Sequence, residues 1–292
     1  MSSIQRRHPA FFYLLAAPTV LVIAYLTVYP TLAVFSNSLF EYDYIAGTRL
    51  FTGLDNYRSI LADSQFRQSV INTTLFVALA ASLETALGFL LALLYYQPFK
   101  GRRTLATITV VPMMLSTMVV SATWRTLYHF DIGPLNALLE AVGAAPVGWL
   151  INPDIALFSV VIADVWQWTP FAFVILQAAL QTIPREYLEA ARIDGAGSGG
   201  VVVHVILPLM RPHLLMVALL RTIDTFRLFA KVFALTGGGP GNSTETISYY
   251  IYREAYRYFN LGRAGAASVL AFVIIALVAS VYIPRLLREE GV

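Results

Sequence analysis

Long apolar stretches interrupted by few charges dominate the pattern of this chain. A helix that crosses a bilayer needs about 20 mostly apolar residues, and six stretches of the sequence reach that length. The pattern therefore predicts an all-α integral membrane fold in which a single domain, residues 1–292, forms a bundle of six helices. The predicted spans lie at about 11–36, 70–96, 104–125, 155–182, 212–235 and 264–284.

Composition agrees with this interpretation, because hydrophobic residues make up 58% of the 292 residues and charged residues only 13%. A soluble domain carries about 25% charged residues. The absence of cysteine excludes disulfides and cysteine metal sites. The formal net charge of +3 comes without basic blocks, so no nucleic-acid partner is expected.

Lysine and arginine are distributed unevenly over the connections between the predicted spans. Their density in the two termini and in connections 97–103 and 184–211 is more than twice that in connections 41–69, 125–154 and 237–263. Because cytoplasmic loops carry the excess of basic residues, both termini and connection 184–211 are predicted to be cytoplasmic. The first span is too long for a signal peptide, so it is predicted to remain as an anchor in the cell (cytoplasmic) membrane.

Motifs for catalysis are absent from the sequence. There is no GxxxxGK[ST] phosphate-binding loop, and neither Lys100 nor Lys231 follows a glycine. The histidines show no metal-ligand spacing, and no nucleophile–base pattern is present. The chain is therefore expected not to be an enzyme by itself and to hold no metal.

Connection 184–211 carries the most informative pattern. A helix is predicted at its start, and Gly195 ends or turns that helix because glycine tolerates a positive φ. A second short helix is predicted at about 198–206, and Pro208 breaks the pattern after it. Two interpretations remain open. The helix–turn–helix docks another protein, with Glu189 available to a partner arginine, or it is a solvated connection.

The same segment resembles a known signature. Glu189-Ala190-Ala191, Gly195, Val205 and Leu207-Pro208 are spaced like the EAA motif of permease subunits in binding-protein-dependent ABC importers, with Val205 in place of the usual isoleucine. Three further stretches resemble the maltose/trehalose/glycerol-3-phosphate group of these permeases, and the similarity extends over about residues 10–285. They are Phe51–Tyr57, Trp166–Phe171 and Leu235–Pro240.

This resemblance implies a fold and a set of partners. The fold is the six-helix bundle of type I ABC importer permeases, and the EAA loop couples to a separate ATPase through Glu189, Ala190, Ala191 and Gly195. The implied partners are a second permease chain, two ATP-binding subunits, an extracytoplasmic solute-binding protein and a sugar such as a trehalose- or maltose-like di- or oligosaccharide. ATP and Mg belong to the ATPase subunits, so this chain is expected to carry no cofactor.

Ionisable residues inside the predicted spans are the candidate chemistry. Each costs about 2.5–3.5 kcal/mol at the centre of a membrane helix. On a continuous helix, the four charges of the fifth span fall within an arc of about 120°, so this stripe must face protein or water. They are Arg221, Asp224, Arg227 and Lys231.

The fourth span presents a matching face with Asp164, Trp168 and Phe171. Asp164 either neutralises Arg221 or Arg227 within the bundle or belongs to a solute pathway, and the two aromatic residues either pack in the core or bind a solute. In addition, Glu84 in the second span is interpreted as a helix–helix hydrogen-bonding group, with a role in the solute pathway as the alternative.

By position, the resemblance to the maltose-type permeases adds residues of the fifth span to this pathway. The residues it implicates are Trp168, Phe171, Asp224, Thr225, Arg227 and Leu228. Asp224 and Arg227 replace asparagines of the maltose permease pattern and resemble the trehalose-type members.

Two other functions and two further segments remain open. The competing functional hypothesis is a self-sufficient carrier or scaffold whose buried charges relay protons, and a membrane enzyme is a third. Short helices are also predicted at 134–142 and 244–258. The tyrosines of the second form either an aromatic interfacial belt or a docking surface.

Overall fold

The structure is a computed structural model that describes residues 9–43 and 47–289. Thirteen α-helices and one two-stranded sheet make up this described part. In chain order they are α1 Pro9–Asn37, β1 Phe40–Asp43, β2 Thr48–Phe51, α2 Asp55–Ala62, α3 Ser64–Leu94, α4 Arg102–Met114, α5 Thr117–Leu127, α6 Pro134–Ala141, α7 Pro153–Leu180, α8 Arg185–Ile193, α9 Ser198–Val201, α10 Leu207–Phe226, α11 Ala230–Leu235, α12 Ile247–Tyr252 and α13 Leu261–Glu289. Two π-helical turns, Val202–Ile206 and Arg253–Arg257, follow α9 and α12.

Five helices in the described ranges are long and apolar enough to cross a membrane. They are Tyr13–Asn37, Ser64–Leu94, Pro153–Leu180, Ser198–Phe226 and Leu261–Tyr282. The pair α4 and α5 makes a sixth if it is counted as one bent span. The prediction of an all-α membrane fold is confirmed by these helices, whereas the side of the membrane on which each terminus lies stays a prediction.

The chain divides into two compact units. The first runs up to Ala62 and includes Ile251–Phe272. In it, β1 pairs with β2 as an antiparallel hairpin that the hydrophobic pattern did not predict. The side-chain amide of Asn56 donates to the carbonyls of Ser38 and Phe40 at 3.0 Å each, which fixes α2 against the end of α1 and the start of the hairpin.

The second unit, Asp63–Tyr250 and the chain from Val273 onward, is built around the packing of α3 along α7. Helices in lipid gain little from the hydrophobic effect, so small residues that let backbones approach closely stabilise their contact. A Cβ atom on Gly88 would lie 2.5 Å from the Cβ of Ala172 and 2.8 Å from the amide nitrogen of Phe173. The buried small residues of the two helices include Ala80, Ala81 and Ala92 of α3 and Ala163, Ala172 and Ala179 of α7.

The stretch predicted as the third span is two helices and not a straight one. The axes of α4 and α5 differ by 98°, and the bend lies at Leu115 and Ser116. Leu115 has an extended backbone with ψ of 145°, so its carbonyl leaves the helical hydrogen-bond ladder. The side-chain amide of Gln167, on α7, donates to that carbonyl at 3.0 Å. The bend therefore depends on a residue far away in the sequence.

The stretch predicted as the fifth span also differs from the expectation. Its helix is continuous from Ser198, so Pro208 does not break it. Proline lacks an amide hydrogen and its ring clashes with the carbonyl four residues earlier. The π-helical turn Val202–Ile206 accommodates both effects, because the Leu207 amide bonds to Val202, five residues back. At the other end the helix stops at Phe226, and Lys231 lies in a separate helix, α11.

The two short helical patterns of the connections are present. The first is α6, and the second is α12 followed by the π-helical turn Arg253–Arg257. Tyr249 and Tyr250 are buried and belong to the second unit, while Tyr256 and Tyr258 of the first unit are exposed. The tyrosines are therefore not one continuous surface, and only part of them suits a belt or a docking face.

Candidate functional site

A polar cavity of about 340 Å³ lies where the fifth predicted span is interrupted, at the break between α10 and α11. Irregular backbone at membrane depth is tolerated where it lines a cavity, and broken helices in transporters place solute sites in this way. α5 and α7 supply the other walls. The lining residues are Thr117, Asp164, Trp168, Arg221, Asp224, Thr225, Arg227, Leu228, Phe229, Ala230 and Lys231.

A network of buried ion pairs lies along one wall of this cavity and extends behind it. Arg221, with 2% of its side chain exposed, donates through Nε and Nη2 to the Glu84 carboxylate at 2.5 and 3.2 Å. It also reaches Asp164 at 3.4 Å and Asp224 at 2.7 Å. Lys231 donates to the second oxygen of Asp164. Buried charges are tolerated when each is paired, and here α3, α7, α10 and α11 supply the partners of one another.

The part of the cavity open to solvent carries an aromatic ring and two charged groups. The Arg221 guanidinium lies 4.9 Å from the centroid of the Trp168 ring, a cation–π distance. The Asp224 carboxylate is 44% exposed and accepts a second hydrogen bond from Arg227 at 3.2 Å. The side chain of Arg227 is 73% exposed. The site therefore offers an aromatic face next to a carboxylate and a guanidinium.

The predicted pathway residues come together in this cavity with one exception. Asp164, Trp168, Asp224, Thr225, Arg227 and Leu228 all line it. Phe171 does not line it, but its ring meets that of Trp168 edge to face at 6.4 Å. Thr225 directs its hydroxyl to the Arg221 carbonyl at 2.6 Å, so its oxygen serves the helix as well as the wall.

Asp164 neutralises cations of the bundle, and because it also lines the cavity, its place in a solute pathway stays a prediction. It pairs with Arg221, as one interpretation held, and not with Arg227, whose partner is Asp224. The prediction that Lys231 lies on the charged stripe assumed one continuous helix. That assumption is wrong, because α10 ends at Phe226. Lys231 reaches Asp164 through α11 instead.

The sequence analysis did not predict how closely Glu84 is connected to the residues of the cavity. Glu84 was predicted to hydrogen-bond between helices, and it does so with Arg221. The signal was available, because it is the only ionised residue of the second predicted span. Thr117, Phe229 and Ala230 line the cavity and were not predicted as site residues, because their positions follow from the two helix breaks. Within residues 9–43 and 47–289, no group of three or more His, Asp and Glu residues is arranged to hold a metal ion.

The EAA residues lie on α8 and the turn after it. Gly195 has φ of +87°, its amide donates to the Arg192 carbonyl at 3.1 Å, and the Ala196 amide donates to the Ala191 carbonyl at 2.9 Å. These are the two hydrogen bonds of a Schellman motif, in which glycine takes the left-handed position. The helix therefore ends where the glycine predicts.

The two sides of α8 differ. Leu188 is buried, and Ala191 packs partly buried against the adjoining hydrophobic cluster. Glu189 and Ala190 are exposed, and Glu189 also borders a cavity of about 550 Å³ together with Arg102. The turn and the inner side are thus fixed by the fold, and the exposed side is left open.

Comparison with known proteins places this architecture in a family. The sequence profile described as "binding-protein-dependent transport system inner membrane component" matches residues 84–288. The chain is 37% identical over 285 residues to the trehalose/maltose transport system permease protein MalF of Thermococcus litoralis, covering 97% of this chain and 95% of that protein. It is 33% identical over 276 residues to the trehalose transport system permease protein SugA of Mycobacterium tuberculosis, covering 93% and 87%. In the crystal structure of a bacterial ABC transporter involved in import of the acidic polysaccharide alginate, one chain matches 97% of this chain and 97% of its own length with a TM-score of 0.84 at 21% identity.

These matches define a multi-pass permease subunit of an ABC transporter, a class whose members are not enzymes by themselves. The chain belongs to the family of inner membrane components of binding-protein-dependent transport systems. The resemblance read from the EAA motif and the predicted fold class are thereby confirmed.

Proposed function

We propose that this chain is one of two permease chains in an ATP-driven importer of a neutral di- or oligosaccharide. The observation that carries the proposal is the cavity in which the Trp168 ring stands beside the Asp224 carboxylate and the Arg227 guanidinium. A sugar presents apolar C–H faces and a rim of hydroxyls, so an aromatic face next to polar groups matches its chemistry. The relatives named for trehalose and maltose support the same class of solute.

The charge balance of the cavity favours a neutral solute. Each of its cations has an acidic partner: Arg221 contacts Glu84, Arg227 contacts Asp224, and Lys231 contacts Asp164. An anionic sugar would have to displace one of these carboxylates from its cation, whereas hydroxyl groups can accept from Arg227 and donate to Asp224 without breaking a pair. Sugar phosphates and sulfonates are therefore disfavoured.

The exposed side of α8 supports the coupling part of the proposal. Tyr187 and Ile193 are 56% and 85% exposed, on a helix whose Glu189 and Ala190 are also open to solvent. A partner subunit that covered this exposed side would bury both apolar side chains. We assign this side to a separate ATPase subunit that holds ATP and Mg, two of which serve the two permease chains.

The proposed transport cycle connects α8 to the cavity through the partner subunits. ATP binding brings the two ATPase subunits together and moves the attached α8, so that the helix bundle opens outward. The extracytoplasmic binding protein then releases its sugar to the cavity. Hydrolysis separates the ATPase subunits and returns the bundle to the inward-open state. In this cycle α8 lies on the cytoplasmic side, as the lysine and arginine distribution predicts.

The solute site is tested by uptake into vesicles that contain the complete transporter. Asp224→Ala and Trp168→Ala should each reduce sugar uptake at least tenfold while the subunits still assemble. Trp166→Ala is the matched control, because Trp166 lies on the same helix but outside this cavity. Normal uptake in both cavity variants would refute the site. Uptake by the purified chain alone under a proton gradient would favour the self-sufficient carrier.

The coupling helix is tested by co-purification with the ATPase subunit. Glu189→Lys should reduce recovery of that subunit, and Glu140→Lys on the exposed side of α6 should not. Unchanged recovery with Glu189→Lys would contradict the docking role. The binding protein's ligands provide an independent check, since retention of anionic sugars only would overturn the neutral assignment.

A further inference from the structure

A single guanidinium connects the two groups that the cavity offers to a solute. Arg221 Nη1 donates to Asp224 at 2.7 Å, and the Arg221 Cζ atom lies 4.9 Å from the Trp168 ring centroid. The guanidinium is planar and its five N–H groups have a fixed geometry. Whatever fixes its orientation therefore also fixes where the Asp224 carboxylate and the Trp168 ring are held.

The strongest contact of that guanidinium is made outside the cavity. Glu84, fully buried on α3, accepts from the Nε and Nη2 groups at 2.5 and 3.2 Å, which is a bidentate pairing along one edge. The contact of Arg221 with Asp164 is longer, at 3.4 Å, and Asp164 also binds Lys231. Glu84 is not among the residues that line the cavity.

We propose that Glu84 is a positioning residue for the solute cavity. By accepting two hydrogen bonds along one edge of Arg221, it fixes the positions of Asp224 and Trp168 without contacting the solute. The inference rests on the proposed function, in which this cavity holds the sugar. It goes beyond that function because it assigns a transport role to a residue on α3, a helix that contributes no side chain to the cavity lining.

The interaction of Glu84 with Arg221 depends on the negative charge and on the two acceptor oxygens of the carboxylate. Glu84→Gln replaces one acceptor by an amide that donates, so the guanidinium loses half of its edge contact and turns away from Asp224. Glu84→Asp keeps both oxygens but withdraws them by one methylene group. The glutamine variant should therefore disturb the cavity strongly and the aspartate variant in part.

The experiment compares solute transport with ATP hydrolysis in the complete reconstituted transporter, supplied with its loaded binding protein. We expect Glu84→Gln to lower the number of sugars moved per ATP about tenfold, the size of effect expected when one hydrogen bond to a charged group is lost. Glu84→Asp should give an intermediate ratio. The control is Thr85→Val on the same helix, since the Thr85 hydroxyl donates to the carbonyl of Ala81 within α3. Its ratio should equal that of the wild type.

Each outcome supports or overturns the inference. If Glu84→Gln lowers uptake and ATP hydrolysis by the same factor, the residue is merely structural and the inference fails. If that variant does not assemble, Glu84→Asp decides, and a wild-type ratio in it overturns the inference. Asp224→Asn is measured alongside. Normal transport in Asp224→Asn refutes the proposed function itself, whereas loss in that variant with an unchanged ratio in Glu84→Gln refutes only the positioning role.

Discussion

Removal of the Lys231 ammonium group should lower the stability of the protein, because this group forms a buried ion pair. The Lys231 side chain is 1% exposed and donates to Asp164, which is 3% exposed. Together with Glu84 and Arg221 these groups make two buried negative and two buried positive charges. Lys231→Met keeps the length and the apolar stem of the side chain, but it leaves Asp164 with Arg221 as its remaining cation, at 3.4 Å.

Breaking a buried ion pair from one side costs about 3–5 kcal/mol, because it leaves an uncompensated buried charge. We expect Lys231→Met to lower the free energy of unfolding by that amount. The double variant Asp164→Asn/Lys231→Met removes both charges, and Arg221 keeps Glu84 and Asp224 as partners. It should therefore recover at least half of the loss, since replacing a complete buried pair by neutral groups is often close to neutral.

The assay is unfolding of the purified protein in mixed micelles with increasing SDS, followed by tryptophan fluorescence. Lys100→Met is the matched control, because Lys100 is the only other lysine in the sequence and it is exposed. Its effect should stay within about 0.5 kcal/mol. The reasoning is refuted if Lys231→Met is as stable as the control, or if the double variant is as unstable as the single one.

Two further substitutions test the local geometry. Gln167→Leu removes the donor to the Leu115 carbonyl at the bend between α4 and α5, and the same unfolding assay should show a loss of about 1–3 kcal/mol, whereas no loss would mean that the bend does not need this bond. Gly195→Val forces a β-branched residue into φ of +87°, which costs about 1–2 kcal/mol. It should make the turn after α8 more sensitive to limited proteolysis and weaken ATPase recovery, while Gly197→Val, at φ of −67° with no neighbour within 4 Å of its Cβ, should do neither.

The features that could be predicted from sequence are those fixed by nearby residues. Four long helices follow directly from uncharged or nearly uncharged runs, and the end of α8 follows from Gly195 alone. The EAA spacing gave the family because it is a local pattern. The orientation in the membrane, predicted from the distribution of lysine and arginine, stays a prediction.

The features that were missed depend on residues distant in sequence. The bend at Leu115 is stabilised by Gln167, and the sequence of α4 and α5 does not indicate this partner. The continuity of α10 with α9 requires a π-helical turn that absorbs Pro208, an option that a simple helix-breaking rule does not contain. Lys231 was predicted to lie on the charged stripe of one helix, and its pairing with Asp164 was not predicted, because the chain brings it there through a second helix.

The ion-pair network itself argues for function over stability. A buried ion pair is weak support for stability, because a well-packed apolar group of similar volume often does as well. Each of the four helices α3, α7, α10 and α11 nevertheless contributes a charged side chain to this network. Apolar side chains could fill that space, but they could not hold the Asp224 carboxylate at 2.7 Å and the Trp168 ring at 4.9 Å from the same planar group. The network therefore holds Asp224 and Trp168, the two groups that we propose bind the solute, in a fixed relation across the break between α10 and α11.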